Sequence, residues 1–376
     1  MAGIYIHIPF CKQACTYCDF HFSTSMRNKS AVLDAIEKEA FMRKGYLNDQ
    51  IIETLYFGGG TPSLMSAAEL RKMVATIQSL FVFSPQPEFT LEANPDDLNL
   101  NKIAELKASG VNRLSIGVQS FIDDYLKWMN RAHRSAEAIA CIRESQKVGI
   151  ENISIDLIYG LPNLTSNAWK EELKKAIDLN PTHISAYCLT VEPATALGYK
   201  VRTGKEKPVD EAAAEMQFQT MIEMLENAGF ELYELSNFAR EGYYSRHNTS
   251  YWQGKPYLGL GPSAHSFKPG ERSWNISNNV RYIKDIESGD LPLTTEMLTP
   301  ENQINEWIMT GLRTLWGINL KDGITRFGID LLTANRELIN RLIAEGKAEI
   351  RNGNLKLTRK GFFLADGISA SLFVVE

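Results

Sequence analysis

The sequence lacks the long apolar runs that are typical of membrane proteins. In 376 residues, no uninterrupted apolar segment approaches the roughly 20 residues that a membrane-spanning helix needs. Residues 1–10 show neither a basic leader before an apolar stretch nor the small-residue cleavage site of a secretory signal. We therefore expect a cytoplasmic protein with no stable insertion into a membrane.

An excess of positive charge is also missing. The chain has 40 Lys and Arg against 45 Asp and Glu, so its formal net charge is -5. This balance provides no general electrostatic attraction to the phosphates of nucleic acid, and we expect no nucleic-acid partner. With 44% apolar and 23% charged residues, the composition is that of a globular protein, and the length corresponds to two or three folding units.

Cysteine is scarce, and its distribution is uneven. Five cysteines are too few, and odd in number, for a disulfide framework in so long a chain. Cys141 lies on one face of a predicted helix and Cys188 in a predicted strand, so we interpret both as small buried apolar residues. The other three are close together, in the pattern C-x3-C-x2-C at Cys11, Cys15 and Cys18.

Short apolar strands alternate with amphipathic helices over the first two thirds of the chain. Gly110, Gly149 and Gly229 each precede an apolar residue at the end of a predicted helix, which is typical of a helix C-terminus. Ser66 and Glu69 form a capping-box pattern at the start of another helix. Strands joined by helices run parallel, so about six such units predict an α/β fold with a complete or partial barrel. An open doubly wound sheet has the same periodicity.

The alternation ends near residue 240. Residues 241–298 are rich in Gly, Ser, Asn and aromatic residues, which predicts an irregular extension packed on a barrel of residues 1–240. Residues 299–376 contain helices followed by a hairpin pattern around Asn352 and Gly353. This order predicts a small α+β, winged-helix-like domain. It has no basic recognition helix, so we expect a lid or a docking element.

The three clustered cysteines indicate a metal site. Thiolate is the preferred outer ligand of iron in a 4Fe-4S cluster, and three thiolates leave the fourth iron free to bind a small molecule. Tyr17 places an aromatic ring against the cluster or its ligand. The alternative is a zinc site formed by the three cysteines with His7 or His21. Three ligands on one tight loop after a strand favour the cluster.

The cysteine pattern and four later segments resemble those of a known family. C-x3-C-x-aromatic-C after the first strand resembles the radical S-adenosylmethionine (SAM) proteins. The segments FGGGTPS at 57–63, IGVQS at 116–120, NRAH at 130–133 and DLIYGLP at 156–162 resemble the branch that contains the oxygen-independent coproporphyrinogen dehydrogenases and related haem chaperones. The resemblance extends from residue 4 to about 275.

The resemblance implies a partial (β/α) barrel of the radical SAM type with two cofactors. SAM would bind the open iron of a 4Fe-4S cluster held by Cys11, Cys15 and Cys18, and an electron supplied by a reductant could cleave it to a 5'-deoxyadenosyl radical. Glycines after a strand allow close approach of a ligand, and carboxylates at strand ends tend to face ligands. For Arg131 and Asp156, a structural salt bridge is the alternative role. The implied SAM-binding residues are Tyr5, Tyr17, Gly59, Gly60, Thr61, Glu92, Gln119, Arg131 and Asp156.

The chain departs from the dehydrogenases at the cluster. Those enzymes have a fourth cysteine two residues after the third, where this chain has Phe20, and they have an N-terminal extension that covers the active site. Both differences favour the chaperone branch over the enzyme. We therefore assign no catalytic residue.

The expected function is inferred from the segment around residue 247. Its HN-x2-YW pattern resembles the motif associated with haem binding in the chaperones, where an imidazole can ligate iron and aromatic rings can stack on a macrocycle. The alternatives are a loop anchored to the core, and His265 as the iron ligand. We expect a haem chaperone that transfers haem to an acceptor haemoprotein, and a coproporphyrinogen III dehydrogenase is the alternative. The implied haem-binding residues are His247, Asn248, Tyr251 and Trp252.

Overall fold

The computed structural model describes residues 1–374, and its first half is built on six parallel strands. Each strand pairs with the next along the chain. The strands are β1 (Ala2–Ile8), β2 (Ile52–Gly59), β3 (Phe83–Ala93), β4 (Arg113–Gln119), β5 (Asn152–Tyr159) and β6 (His183–Cys188).

Helices connect these strands and cover the sheet. Ser66 caps α2 through the expected capping box with Glu69, and Gly149 ends α5 in the left-handed conformation that glycine adopts without strain. The helices up to β6 and just beyond it are α1 (Lys29–Met42), α2 (Ala67–Leu80), α3 (Leu100–Ala108), α4 (Asp123–Trp128), α5 (Ser135–Val148), α6 (Ser166–Asp178), α7 (Ala196–Arg202) and α8 (Glu211–Asn227).

Both edges of the parallel sheet are extended by further strands. An antiparallel pair lies beside β6, while on the other side one strand pairs parallel with β1 and three antiparallel strands continue outward. These elements are β7 (Glu231–Glu234), β8 (Asn237–Ala239), α9 (Arg246–Trp252), β9 (Tyr257–Leu260), β10 (His265–Lys268), β11 (Glu271–Asn275), α10 (Asn279–Ser288) and β12 (Leu293–Met297).

Twelve strands thus form one sheet, in the order β12-β11-β10-β9-β1-β2-β3-β4-β5-β6-β8-β7. Among the described residues the two end strands, β12 and β7, do not pair with each other, so the barrel stays open. The predicted α/β class and partial barrel are confirmed. The expectation of irregular structure over 241–298 is wrong, because α9, β9 to β12 and α10 lie there. The strands are short, and β9 finds its partner β1 more than 200 residues away, so local periodicity did not reveal them.

Residues 300–371 form a small unit with its own three-stranded sheet, in the order β13-β15-β14. The predicted hairpin turn is present, since Asn352 and Gly353 both have the positive φ of a type I′ turn. The succession of helix, strand, helices and two strands is winged-helix-like. Its elements are α11 (Pro300–Leu312), β13 (Ile318–Asn319), α12 (Leu320–Phe327), α13 (Leu331–Ala334), α14 (Arg336–Ala344), β14 (Ala348–Arg351), β15 (Asn354–Leu357), α15 (Arg359–Phe362) and α16 (Ala365–Ser371).

Among residues 1–374, no helix combines the length and the apolar character that crossing a bilayer requires.

Candidate cofactor-binding site

A cavity of about 500 Å³ lies at the carboxyl ends of the parallel strands. It is lined by the cysteine loop after β1 and by residues at or just after the ends of β2 to β6, which is where ligands bind in barrels of this type. We call it the first cavity. Eight of the nine side chains or glycines implied as SAM-binding line it, namely Tyr17, Gly59, Gly60, Thr61, Glu92, Gln119, Arg131 and Asp156.

The two ends of the cysteine loop are joined by backbone hydrogen bonds. The Cys11 amide donates to the Ser23 carbonyl at 3.0 Å, and the Ser23 amide donates to the Pro9 carbonyl at 2.9 Å. These bonds hold the segment that contains all three cysteines against the end of β1. The loop therefore presents its thiols to the first cavity from one side.

All three thiols face this cavity, and two of them accept hydrogen bonds across it. Thr61 Oγ1 donates to Cys11 Sγ and Arg131 Nη1 donates to Cys15 Sγ, each over 3.4 Å. Burial raises the pKa of Cys11, and it raises the pKa of Cys18 to about 11. These two thiols therefore carry protons at neutral pH, and a bound metal would have to displace them. Three soft sulfur donors on one loop fit the outer ligands of a 4Fe-4S cluster.

The zinc alternative required an imidazole as the fourth ligand. His7 uses both ring nitrogens elsewhere, with Tyr5 Oη at 3.1 Å and the His21 carbonyl at 2.9 Å. His21 Nε2 lies 2.7 Å from Asn279 Oδ1. Neither ring is among the described side chains that line the first cavity. Among residues 1–374, no group of three or more His, Cys, Asp or Glu side chains is arranged to hold a single metal ion.

The glycines after β2 are required by close packing against β1. A Cβ atom on Gly59, which has φ +103°, would lie 2.5 Å from the His7 ring, and a Cβ atom on Gly60 would lie 2.7 Å from the Ile8 carbonyl oxygen. The absence of side chains thus allows this strand end to approach its neighbour. It also leaves bare backbone in the wall of the cavity, next to Thr61.

Two carboxylates line the first cavity. Glu92, near the end of β3, accepts from Tyr56 Oη at 2.8 Å and from the Gly59 amide at 3.1 Å. Asp156 on β5 accepts from Ser115 Oγ at 3.3 Å. Burial raises the pKa of Glu92 to about 7 and that of Asp156 to about 6. Both groups therefore change charge near neutral pH, where they could pair with an ammonium group or with hydroxyls.

Arg131 is held by neutral partners and a thiol. Its guanidinium donates to Asn94 Oδ1 at 2.6 Å, to the Gly117 carbonyl at 3.0 Å and to Cys15. Within the described residues it makes no salt bridge with Asp156. Its positive charge thus remains available to a ligand in the first cavity. Gln119, at the end of β4, has φ +65°, a backbone conformation that residues other than Gly, Asn and Asp rarely adopt.

Tyr5 is the implied SAM residue that does not reach the first cavity. Its hydroxyl is bonded to His7, and its ring stacks on Tyr56 at 6.0 Å between centroids. A Cβ atom on Gly58 would lie 2.9 Å from the Tyr5 ring. The tyrosine therefore packs inside the barrel, behind the wall of the cavity.

The structure adds cavity residues that sequence reasoning missed. Asn94 follows β3 directly and fixes Arg131, while Ser115 on β4 binds Asp156. Asn94 lies at a strand end, the same position that identified Glu92, so that rule could have found it; Ser115 lies within β4, where the rule gives no signal. Cys188, interpreted as a buried apolar residue, lines the cavity beside Thr190 and Glu192. Cys141 is buried, as predicted.

The helix α9, which contains the predicted haem-binding motif, lies at the opposite end of the barrel. The backbone amides of Arg246 and His247 both donate, at 3.1 Å, to Glu88 of β3, which pairs with Thr54 near the start of β2. The His247 ring lies 2.6 Å from Thr54 Oγ1 through Nδ1 and 2.7 Å from Tyr251 Oη through Nε2. Only 1% of His247 is exposed, and burial lowers its pKa to about 3. Its imidazole is therefore neutral and fully engaged.

A second cavity, of about 540 Å³, lies between α9, β9 and β10 on one side and α11 to α12 of the C-terminal unit on the other. Tyr251 and Trp252 line it, as does His265. His247 and Asn248 are not among its described lining residues. The structure thus divides the four residues implied for haem into two that face a cavity and two that do not.

Models of two known families match the sequence. The Radical SAM superfamily matches residues 5–176, and the HemN C-terminal domain matches residues 298–364.

Several curated proteins are similar over nearly the whole chain. "Heme chaperone HemW" of Bacillus subtilis is 34% identical over 372 residues, which cover 98% of this chain and 98% of that protein. The protein of the same name from Mycobacterium tuberculosis H37Rv is 32% identical over 375 residues, covering 98% and 94%. "Radical S-adenosyl methionine domain-containing protein 1, mitochondrial" of Danio rerio is 30% identical over 347 residues, covering 90% and 77%.

Among solved structures, coproporphyrinogen III oxidase (HemN) of Escherichia coli, described as a radical SAM enzyme, superposes with a TM-score of 0.86. It covers 99% of this chain and 90% of that chain at 23% sequence identity. At that identity the superposition establishes a shared fold.

Proposed function

This chain belongs to the radical SAM superfamily and, within it, to the family of the HemW haem chaperones, and from that membership we propose that it is itself a haem chaperone. It would bind haem and transfer it to an acceptor haemoprotein. The observation that carries the proposal is the 34% identity to a relative named as a haem chaperone, over 98% of both chains. That match includes the barrel, the extension with α9, and the C-terminal unit.

We assign a 4Fe-4S cluster and SAM to the first cavity. Cys11, Cys15 and Cys18 would hold three irons, and SAM bound at the fourth would supply a radical when a reductant delivers an electron. Thr61 and Arg131 donate hydrogen bonds to two of these sulfurs, which orients the two cysteine side chains within the cavity.

The remaining cavity groups would bind and orient SAM. Glu92 and Asp156 can accept from its ammonium or hydroxyl groups, and Arg131 can pair with its carboxylate. Tyr17 and Gln119 would complete the cavity wall, together with the exposed backbone of Gly59 and Gly60. Tyr5 would not contact SAM. It would support the cavity wall from inside the barrel, by packing between strands β1 and β2.

For haem, we propose a division of roles within α9. Tyr251 and Trp252 line the second cavity and would contact the macrocycle. His247 holds the Tyr251 hydroxyl at 2.7 Å and would position that ring, with Asn248 on the same short helix.

The five cysteines are all free thiols, in keeping with the expected location in the reducing cytoplasm.

The test is an anaerobic titration of cluster-reconstituted protein with haem, followed by the haem absorption spectrum and repeated with SAM present. We expect a saturable shift with one haem per chain, and subsequent transfer to an apo-haemoprotein. In parallel, the same preparation is incubated with coproporphyrinogen III, SAM and a reductant. Absence of haem binding together with decarboxylation of coproporphyrinogen would overturn the chaperone function in favour of the dehydrogenase.

A further inference from the structure

We propose that the second cavity is the haem-binding site and that His265, not His247, is the protein ligand to the haem iron. This inference rests on the proposed chaperone function and specifies its site. The volume of about 540 Å³ lies within the range of small-molecule and cofactor sites.

The walls of the second cavity provide flat apolar surfaces from two parts of the chain. Trp252 and Tyr257 come from the barrel side, and Trp307, Trp316 and Phe327 come from the C-terminal unit. Planar macrocycles bind between aromatic faces. A ligand in this cavity would therefore be enclosed between the barrel and the C-terminal unit.

Trp252 is held in the wall of the second cavity by a cation. The Arg313 guanidinium lies 5.5 Å from the centroid of the Trp252 ring, within the range of a cation–π interaction. The indole nitrogen is buried, so Trp252 offers its ring, and not its N–H group, to a ligand in this cavity.

His265 is the histidine that is available to iron. The rings of the other five histidines are hydrogen bonded to described residues, as shown by the contacts of His7, His21, His133, His183 and His247. The His265 side chain makes no such bond within the described residues, is exposed, and lines the second cavity.

The strand partner of His265 fixes the orientation of its ring. Trp274 lies directly opposite on β11, and the two rings stack at 6.0 Å with an angle of 26° between their planes. Burial and the nearby Arg272 lower the His265 pKa. The ring is therefore neutral at physiological pH, which is the form that binds iron.

The cavity also contains a cation suited to the propionates of haem. Arg326 is exposed at the cavity, with its guanidinium 4.9 Å from the centroid of the Phe327 ring. It makes no salt bridge with another described residue. Arg272, the other arginine in the wall, is already paired with Glu296 and Glu306, at 2.6 and 2.7 Å.

His247 could ligate iron only after major rearrangement. Its two ring nitrogens are bonded to Thr54 and Tyr251 inside the barrel. To ligate iron, the His247 ring would have to give up one of these bonds and leave the buried hydroxyl of Thr54 or Tyr251 without its partner.

The experiment titrates the full chain with ferric haem anaerobically and compares the wild type with His265→Ala and His247→Gln. We expect His265→Ala to lose the imidazole-ligated spectrum and to bind haem at least about tenfold more weakly, a change of 1.4 kcal/mol. Free imidazole added to this variant should restore the spectrum. His247→Gln should keep the imidazole-ligated spectrum even where displacement of Tyr251 weakens haem binding, since the ligating imidazole would be that of His265.

A second probe tests binding of the macrocycle in the absence of iron. Iron-free protoporphyrin, followed by its fluorescence, should bind the wild type and His265→Ala equally and bind Arg326→Gln more weakly. Arg281→Gln, at an exposed arginine of α10 outside the cavity, is the matched control and should bind like the wild type.

The outcomes distinguish the two proposals. No spectral change in the wild type would remove the proposed function and this inference with it. Binding by the wild type with an unaltered spectrum in His265→Ala would overturn the inference alone. If His247→Gln were the variant that lost the spectrum, the axial role would belong to His247.

Discussion

At the scale of single residues, the first cavity contains two carboxyl groups whose pKa values burial raises towards neutral pH. Arg113, of which only 1% is exposed, lies at the start of β4 and lowers the pKa of both Glu92 and Asp156, but burial outweighs this effect. The result is a pair of carboxyl groups whose ionisation costs free energy in the folded protein. Such groups bind a cationic ligand at the expense of stability.

We predict that Glu92→Gln stabilises the protein at pH 8 and weakens SAM binding. The folded pKa of about 7 lies above the ordinary glutamate value of 4.5, so the wild type loses stability as the pH rises through this interval, whereas Gln cannot ionise. The gain at pH 8 should be roughly 1–3 kcal/mol and should be small at pH 5. Thermal unfolding at both pH values measures it.

The control for this prediction is Glu349→Gln on the exposed surface of β14, which should leave the unfolding temperature unchanged at both pH values. An equal gain for Glu92→Gln at pH 5 and pH 8 would contradict the assigned cause. Equilibrium dialysis with SAM on reconstituted protein checks the second half of the prediction.

At the scale of secondary-structure elements, a buried polar network attaches the extension to the barrel. Glu39 on α1 is fully buried and accepts from Arg43 at 3.1 Å, from the Gly261 amide at 2.8 Å and from Asn275 at 2.8 Å. Arg43 in turn donates to Ser266 on β10 and to the Gly259 carbonyl on β9. One helix thus holds three strands of the extension, including the one that carries His265.

We predict that Glu39→Ala destabilises the protein by about 3–5 kcal/mol, because it leaves the buried Arg43 charge without its carboxylate partner. The control is Asp34→Ala on the same helix, which removes the exposed pair with Lys72 and should cost at most about 1 kcal/mol. Urea denaturation of both variants measures the difference. Similar losses in the two variants would show that the buried network contributes no more than a surface pair.

At the scale of the whole molecule, the two cavities lie at opposite ends of the barrel. The first is at the carboxyl ends of the strands, whereas α9 packs on Gly3, Thr54 and Glu88 at their amino ends. A chain of buried side chains joins the two regions: Glu92 accepts from Tyr56, Tyr56 stacks on His247 at 4.9 Å, and His247 bonds to Tyr251. The sites are therefore separate, although they share a packed interior.

We predict that replacing Cys11, Cys15 and Cys18 together by Ala abolishes the cluster and leaves haem affinity within about twofold of the wild type, as expected for sites without shared contacts. Iron and sulfide content verifies loss of the cluster, and a haem titration measures the affinity. A large loss of haem binding in a variant that unfolds at the wild-type temperature would place the haem at the first cavity instead.

The sequence alone determined the parallel β/α architecture, the cysteine loop and the carboxylates at the strand ends. These depend on local features, since periodicity specifies each strand and parallel pairing then gathers the residues after each strand at one edge. The tertiary structure decided the rest. Pairing of β9 with β1 converted an expected irregular segment into sheet, and packing moved Tyr5 behind the cavity wall. The HN-x2-YW pattern could not reveal that His247 bonds to Thr54, 193 residues away, because that contact exists only once α9 has closed the end of the barrel.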